Sequence, residues 1–332
     1  MKIAVVGATG LVGEALLRVL EERRIPASSV SAFGSRARNG GASFKGKRLD
    51  VQPTNAEALQ GFDAIFFAGG DEPSAQIVPK VAKNGCVVID NSAAFRLDPN
   101  LSLIVPEVNA AAVRPSQKIF PVGNCTAIIM SVALGPITKA AGLRRLHAAT
   151  YQAVSGAGRA ALEEFEAAER AACSSADDPN PKAFAAPIAR NVVPQIGQIN
   201  EHGYSVEEAK IQAELRKILS LPELESAVMA VRVPVRFAHS AAIFFETERA
   251  TSRAELAAAL KNAAGVVFHE DGIVTPREVE GKDDVHVARL RAEDDPGKHF
   301  AMWMCGDQVR KGAATNGVQI LELLIERGIV KR

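Results

Sequence analysis

Apolar residues run unbroken from Ile3 to Val6 and stop at Gly7. Beyond the glycines that follow, Ala15, Leu16, Val19 and Leu20 recur at helical spacing until Arg24 and Pro26. A short continuous apolar run followed by a period of about 3.6 residues predicts a strand, a turn and an amphipathic helix. The succession repeats, with strands at residues 30–33, 64–68, 86–90 and 118–122 and helices over 73–83 and 127–141. Strands alternating with helices predict a parallel, doubly wound sheet. Further along, residues 150–158 read as a strand entering a turn of small residues, and 159–172 as a helix. An amphipathic helix begins near Glu207, with Ile211, Leu215 and Ile218 on one face, and residues 231–245 are strand-like. The last helix, 315–327, aligns Val318, Leu321, Leu324 and Ile325 and has Gly328 as its stop. Residues 174–187, rich in Ser, Asp, Ala and Pro, predict a mobile loop.

Length and charge narrow the function classes. The 332 residues suffice for two domains, and a formal net charge of +1 leaves no basic footprint for nucleic acid or an anionic membrane. Aromatic content of 5% also argues against a base-stacking surface. The N-terminal apolar run is too short for a signal-peptide core, and no stretch approaches the roughly 20 apolar residues that cross a bilayer. Cys86, Cys125, Cys173 and Cys305 are scattered without a C-x-x-C pair, so reduced thiols, a cytoplasmic location and no metal site are expected.

Candidate chemistry sits where the predicted elements change. Gly7, Gly10 and Gly13 lie in a G-x-x-G-x-x-G turn between the first strand and helix, where backbone approaches a pyrophosphate and helix N–H groups face it. After the second strand an NAD site wants Asp or Glu for the ribose hydroxyl. Ser35, Arg36 and Arg38 stand there instead and suit the 2′-phosphate of NADP. Cys125 occupies a strand-to-helix junction, where the helix N-terminus favours thiolate. Among six histidines His239 stands out, because it and two arginines, Arg232 and Arg236, are embedded in apolar sequence and are costly to bury unless paired or used. The other five lie in more polar settings, where a surface position is the default. Glu207 and Lys210 share a helix face, which by itself reads as an exposed ion pair.

Taken together the motifs resemble the aspartate-semialdehyde dehydrogenase family, from end to end. They are GATGLVG at residues 7–13, SAAFRLD at 92–98, VPEVN at 105–109, GNCTA at 123–127, TYQAVSGAG at 150–158, EEAKI at 207–211, VRVPVRFAHS at 231–240 and RKGAATNGVQI at 310–320. The resemblance implies a Rossmann-type dinucleotide-binding domain over residues 1–127 and 315–332. It implies a catalytic and dimerisation domain with a mostly antiparallel sheet over 128–314, and a homodimer. By this resemblance Cys125 is the nucleophile, His239 the general acid/base and Gln152 the orienting residue. Arg232 holds the substrate carboxylate and Glu207 its ammonium, while Arg96, Asn124 and Lys210 take phosphate. Thr9, Gly10, Leu11, Val12, Ser35, Arg36, Ser155, Gly156 and Asn316 touch NADP. The implied reaction joins aspartate semialdehyde, NADP and inorganic phosphate to aspartyl phosphate through a Cys125 thioester, in biosynthesis of Lys, Thr, Met and diaminopimelate. Two rivals remain, an N-acetyl-glutamyl-phosphate reductase and a non-catalytic NADP-binding paralogue. Val122-Gly123, Thr126 and Ala238 depart from the residues usual in the family.

Overall fold

The computed structural model describes residues 1–174 and 180–331. The chain divides into two units, Met1–Asn124 with Gly312–Arg332, and Cys125–Lys311. Those boundaries fall slightly before the expected ones at 127 and 315, because the helix opening at Cys125 packs on the second unit's strands.

The first unit begins with β1 (Lys2–Val6), α1 (Leu11–Glu22) and β2 (Ser29–Gly34). It continues through β3 (Arg38–Phe44), β4 (Lys47–Pro53), β5 (Ala64–Phe67), α2 (Asp71–Lys83), β6 (Val87–Asp90), α3 (Pro106–Asn109) and β7 (Ile119–Pro121). The sheet order is β3-β4-β2-β1-β5-β6-β7, parallel throughout except for the β3/β4 hairpin at one edge. Chain direction through the sheet reverses between β1 and β5, the switch point at which open α/β sheets bind ligands beyond their strand ends. Ala4, Val6, Phe33, Ile65, Phe67 and Val88 pack with Val78 and Val81 of α2 in one buried cluster. This is the doubly wound fold that the alternation predicts.

The second unit opens with α4 (Cys125–Ala141), β8 (Arg145–Gln152), α5 (Arg159–Cys173), α6 (Val206–Leu219), β9 (Glu225–Arg232) and β10 (His239–Thr251). It ends with α7 (Arg253–Lys261), β11 (Val266–His269), α8 (Pro276–Val279), β12 (Val285–Ala292) and β13 (Gly297–Gly306). Its sheet order is β11-β12-β13-β10-β8-β9, with antiparallel pairs in the middle and parallel pairs at both edges. Helices α4, α6 and α7 cover one face. Glu208 fixes α6 there. Its carboxylate accepts the backbone N–H of Ser205 at 2.7 Å in a capping box and that of Ala230, on β9, at 2.8 Å.

The final helix, α9 (Thr315–Glu326), returns to the first unit and packs against α1, α3 and β6. A π-helical turn over Arg310–Ala314 leads into it. In the expected mobile loop, residues 175–179 lie outside those described. Residues 180–187 form no helix or strand, and Glu164 accepts the N–H groups of Lys182 and Ala183 at 3.0 and 2.9 Å. Among the described residues no helix is long and apolar enough to cross a membrane, and no group of three or more His, Cys, Asp or Glu is placed to hold a metal ion.

Candidate active site

In the first unit the three glycines of the β1–α1 turn have different duties. Gly7 has φ +76°, and a Cβ there would lie 2.3 Å from the Ala68 carbonyl oxygen. A Cβ on Gly13 would lie 2.1 Å from the oxygen of Gly7. Both are demanded by the chain's own packing. Gly10 is exposed, and a Cβ there would meet only the Gly7 oxygen, at 3.3 Å. Gly10 N-caps α1 without any side-chain cap, so the first-turn N–H groups of Leu11, Val12 and Gly13 have no intrahelical acceptor. Thr9, Leu11 and Val12 are half-buried, and Ser35 and Arg36 are exposed just past the end of β2. A bare helix N-terminus beside an open glycine fits a pyrophosphate, and the serine and arginine supply donors for a further phosphate.

Two expected ligands in this unit also make hydrogen bonds within the fold. Asn316 is fully buried, and its amide donates to the Ile104 carbonyl at 3.0 Å, a strut between α9 and the chain before α3. Arg96 donates through Nε to the Val122 carbonyl and through Nη2 to that of Asn91, both at 2.8 Å. Arg96 thereby holds the end of β7, just before Asn124, which is 6% exposed.

The second unit gathers its candidates at one end of its sheet. Gln152 and Arg232 end β8 and β9 as register partners, and His239 begins β10. Alternation along these strands turns all three side chains to the helix-covered face. Gln152 and Arg232 are 1% and 5% exposed, and His239 is fully buried. Cys125 is the first residue of α4 and is half-buried, so its sulfur sits at the helix N-terminus.

The contacts among these side chains are specific. The Gln152 amide donates to Glu207 at 3.2 Å. Ala153 serves both His239 and Arg232, its N–H donating to His239 Nδ1 at 3.0 Å and its carbonyl accepting from Arg232 Nη1 at 2.6 Å. Burial lowers the pKa of Arg232, while the negative charges of Glu207 and Cys125 act to raise it. Burial, and secondarily the cation of Arg232, hold His239 well below the usual histidine range. Gly156 is exposed and lies against this pair. A Cβ there would stand 2.9 Å from His239 Cε1 and 3.0 Å from Arg232 Nη1. Lys210, half-buried, follows Glu207 by one turn of α6. Ser155 points inward. It is 4% exposed, its hydroxyl donates to the Arg236 carbonyl, and it accepts from Gln308 at 2.6 Å.

Gln308 was not anticipated. It is 2% exposed, and its oxygen accepts the N–H of Ala238, the residue before His239. His286 also departs from expectation. Two acids stand two and three residues before it, yet it is 6% exposed and stacked on His269, with Nε2 of His269 2.9 Å from its Nδ1. Burial is the main cause of its lowered pKa, with His269 adding to it.

Family models place this chain among known proteins. The semialdehyde dehydrogenase NAD binding domain matches residues 2–116, and the semialdehyde dehydrogenase dimerisation domain matches residues 134–311. Aspartate-semialdehyde dehydrogenase of Aquifex aeolicus is 41% identical, covering 99% of both chains, and that of Bacillus subtilis 36%, also covering 99% of both. The crystal structure of aspartate semialdehyde dehydrogenase II from Vibrio cholerae, complexed with ASA, superposes with a TM-score of 0.93 at 35% identity. The match covers 98% of each chain.

Proposed function

The chain belongs to the aspartate-semialdehyde dehydrogenase family, and from that premise we propose that it oxidises aspartate semialdehyde with NADP and phosphate, and runs the reverse reduction, through a thioester on Cys125. The observation that carries the reading is the pairing of opposite charges around Gln152. Arg232 stands beside it in register, and Glu207 accepts its amide at 3.2 Å. A small zwitterion with a carboxylate and an ammonium finds one fixed partner for each. One Arg232 N–H is committed to Ala153, and the rest of the guanidinium fork serves the substrate carboxylate. Gln152 then sets the aldehyde carbon toward the sulfur at the start of α4.

Bound NADP would supply hydride transfer at that carbon, and Thr9 to Val12 with Ser35 and Arg36 would hold it. The thiolate of Cys125 adds to the aldehyde, and the helix N-terminus offers donors to the charge that develops. Phosphate releases the acyl group as aspartyl phosphate, with Arg96, Asn124 and Lys210 as its proposed partners. A second copy of the chain is the proposed partner protein, docking through the sheet face that α4, α6 and α7 leave open.

An N-acetyl-glutamyl-phosphate reductase has no use for an acid facing the amino group, so Glu207 favours the free amino acid. The test is NADPH formation from purified protein with phosphate, comparing aspartate semialdehyde with N-acetylglutamate semialdehyde. Preference for the first by about 100-fold or more in kcat/KM is expected, since a misplaced polar group loses about that much. Equal use of both, or no phosphate dependence, overturns the reading. A chain that binds NADP yet turns over neither aldehyde is the non-catalytic paralogue.

A further inference from the structure

We propose that Thr150 is a positioning residue for the thioester chemistry: its buried hydroxyl accepts one proton of the Gln152 amide and holds that amide at a fixed angle while the substrate is bound. The inference deepens the reading above and rests on it for the role of Gln152.

Thr150 stands two residues before Gln152 on β8, so both side chains reach the helix-covered face of the sheet. Across the strands it pairs in register with Ala241 on one side and Ala230 on the other. Its neighbour on the same face of β8 is Ala148, also buried, and Thr150, Ala230 and Ala241 are fully buried. A hydroxyl set among alanines and shut off from water is costly unless it is hydrogen-bonded. Its partner is the Gln152 amide, whose Nε2 donates to Thr150 Oγ1 at 3.3 Å. Valine has the same shape and suits a strand as well, so packing alone does not ask for the oxygen.

Gln152 has a second acceptor, since its Nε2 also donates to Glu207 Oε1 at 3.2 Å. A carboxylate offers only lone pairs, so Glu207 decides which end of the amide is nitrogen; the flipped amide would set its oxygen against that charge. The two protons of Nε2 then go to different elements, one to β8 and one to α6. Two acceptors fix the plane of an amide, where one leaves it free to swing about that bond.

The two anchors differ in what the substrate does to them. Glu207 is the proposed partner of the substrate ammonium, and a full positive charge competes with a neutral amide for its oxygens. Thr150 is fully buried, so no substrate group competes for its hydroxyl. When the ammonium binds Glu207, the bond to Thr150 is the one that stays, and it carries the orientation of Gln152 into the complex. The proton that Glu207 gives up is then free to meet the substrate. Attack by the Cys125 sulfur needs the aldehyde carbon held close and aligned, and an orienting amide that swings costs rate more than affinity.

The experiment compares Thr150→Val, which keeps the shape and removes the acceptor, with Thr150→Ser, which restores it, on whichever of the two semialdehydes the wild type prefers. The valine variant should lose about tenfold in kcat at similar KM, and the serine variant should recover most of it. A role exercised through Gln152 disappears with Gln152, so in a Gln152→Ala background the valine substitution should change kcat by less than about twofold. Equal losses in both backgrounds, or a serine variant as slow as the valine one, would show that Thr150 only supports the fold. Nitrogen NMR on the full chain labelled with 15N-glutamine gives a readout that needs no turnover, with Gln152→Ala identifying the signals by their loss. Both Nε2 protons should exchange slowly with water in the wild type, and one of them should lose that protection in Thr150→Val. Fast exchange of both in the wild type, or Gln152 signals unchanged by the valine, overturns the proposal. A wild type that turns over neither semialdehyde sinks the substrate reading, while the exchange of the Gln152 protons still judges the bond to Thr150.

Discussion

The Oε1 atom of Gln308 accepts the backbone N–H of Ala238 at 2.8 Å. Ala238 has φ +66°, a left-handed conformation, and the next residue is His239. The other end of the same amide donates to Ser155, one residue before the glycine that lies on the imidazole. One side chain thus braces the histidine from both sides. Replacing Gln308 by Leu leaves the Ala238 N–H buried and unsatisfied, which costs about 1–3 kcal/mol. The variant is expected to unfold at lower urea and to lose roughly tenfold in kcat at similar KM, a change of about 1.4 kcal/mol. Gln308→Glu, which keeps the acceptor, should recover much of the stability. Denaturation curves and steady-state kinetics check both.

Ala238 raises its own question, since a glycine adopts φ +66° without strain. The left-handed conformation costs an L-residue about 1–2 kcal/mol. Against that, the Ala238 methyl is fully buried with Val274, Val279, Ala288 and Cys305, and a buried carbon contributes about 0.8 kcal/mol. Glycine also loses about 0.5–1 kcal/mol more to the unfolded chain. The terms nearly cancel. Ala238→Gly is expected to change stability by less than about 1 kcal/mol, and a larger shift in the unfolding midpoint would show that one term has been misjudged.

Much of this was legible in the chain. The β1–α1 turn could be read because each step is local: an apolar run, spaced glycines, then a helical period. The β3/β4 hairpin escaped, because Arg38–Phe44 and Lys47–Pro53 are largely polar edge strands with little apolar alternation. Periodicity places the start of α4 at 127 rather than 125, because the helix is buried on nearly every side and has no polar face to mark its ends. Ser205 and Glu208 did carry a readable signal, the S-x-x-E spacing of a capping box. Gln308 carried none, as its partners lie 70 and 153 residues away. His286 looked solvated beside Asp283 and Asp284, and its burial comes from a neighbouring strand that pairing brings in.

Stability should fall toward both ends of the pH scale for identifiable reasons. Burial pushes the Cys305 thiol up to about 11 from 9.0, so the folded chain keeps a proton that the unfolded chain has lost. Its contribution is complete below pH 9 and disappears as pH climbs toward 11. Two units correspond to roughly 2–3 kcal/mol. On the acid side His239 and His286 are both depressed below 6.5, so the unfolded chain binds protons that the folded chain refuses. Stability is complete above about pH 6.5 and falls as pH drops below it. Denaturant titrations at pH 8 to 11 should show a smaller alkaline loss in Cys305→Ala than in wild type. Parallel alkaline losses would refute the assignment.

Charge and hydrogen bonding at Glu207 can be separated. Glu207→Gln removes the negative charge yet keeps an oxygen able to accept from Gln152. If the charge faces a substrate ammonium, KM for aspartate semialdehyde should rise roughly tenfold, about 1.4 kcal/mol, while kcat changes little. The N-acylated aldehyde should be unaffected or improved. Arg232→Lys should be more damaging, since one ammonium replaces a fork that holds the Ala153 carbonyl and is proposed to hold the substrate carboxylate as well. A KM unchanged by Glu207→Gln would remove the acid from the substrate site.

The open sheet face makes the last prediction. Helices α4, α6 and α7 cover one side of the second unit's sheet, and on the other Met229 is 54% exposed and Phe244 49%. Tyr151 and Trp303 lie with them on that side, their ring centroids 5.5 Å apart. Large apolar side chains gathered on the uncovered face of a sheet are expected to meet a partner. In a two-fold dimer each residue is used twice, so Met229 and Phe244 supply four side chains. At no less than about 1.5 kcal/mol each they contribute about 6 kcal/mol, or roughly 10,000-fold in Kd. Met229→Asp with Phe244→Asp should therefore turn a dimer into a monomer in light scattering at micromolar concentration. The first unit should keep its cofactor affinity, since neither residue belongs to it. A double variant that still elutes and scatters as a dimer would place the interface elsewhere.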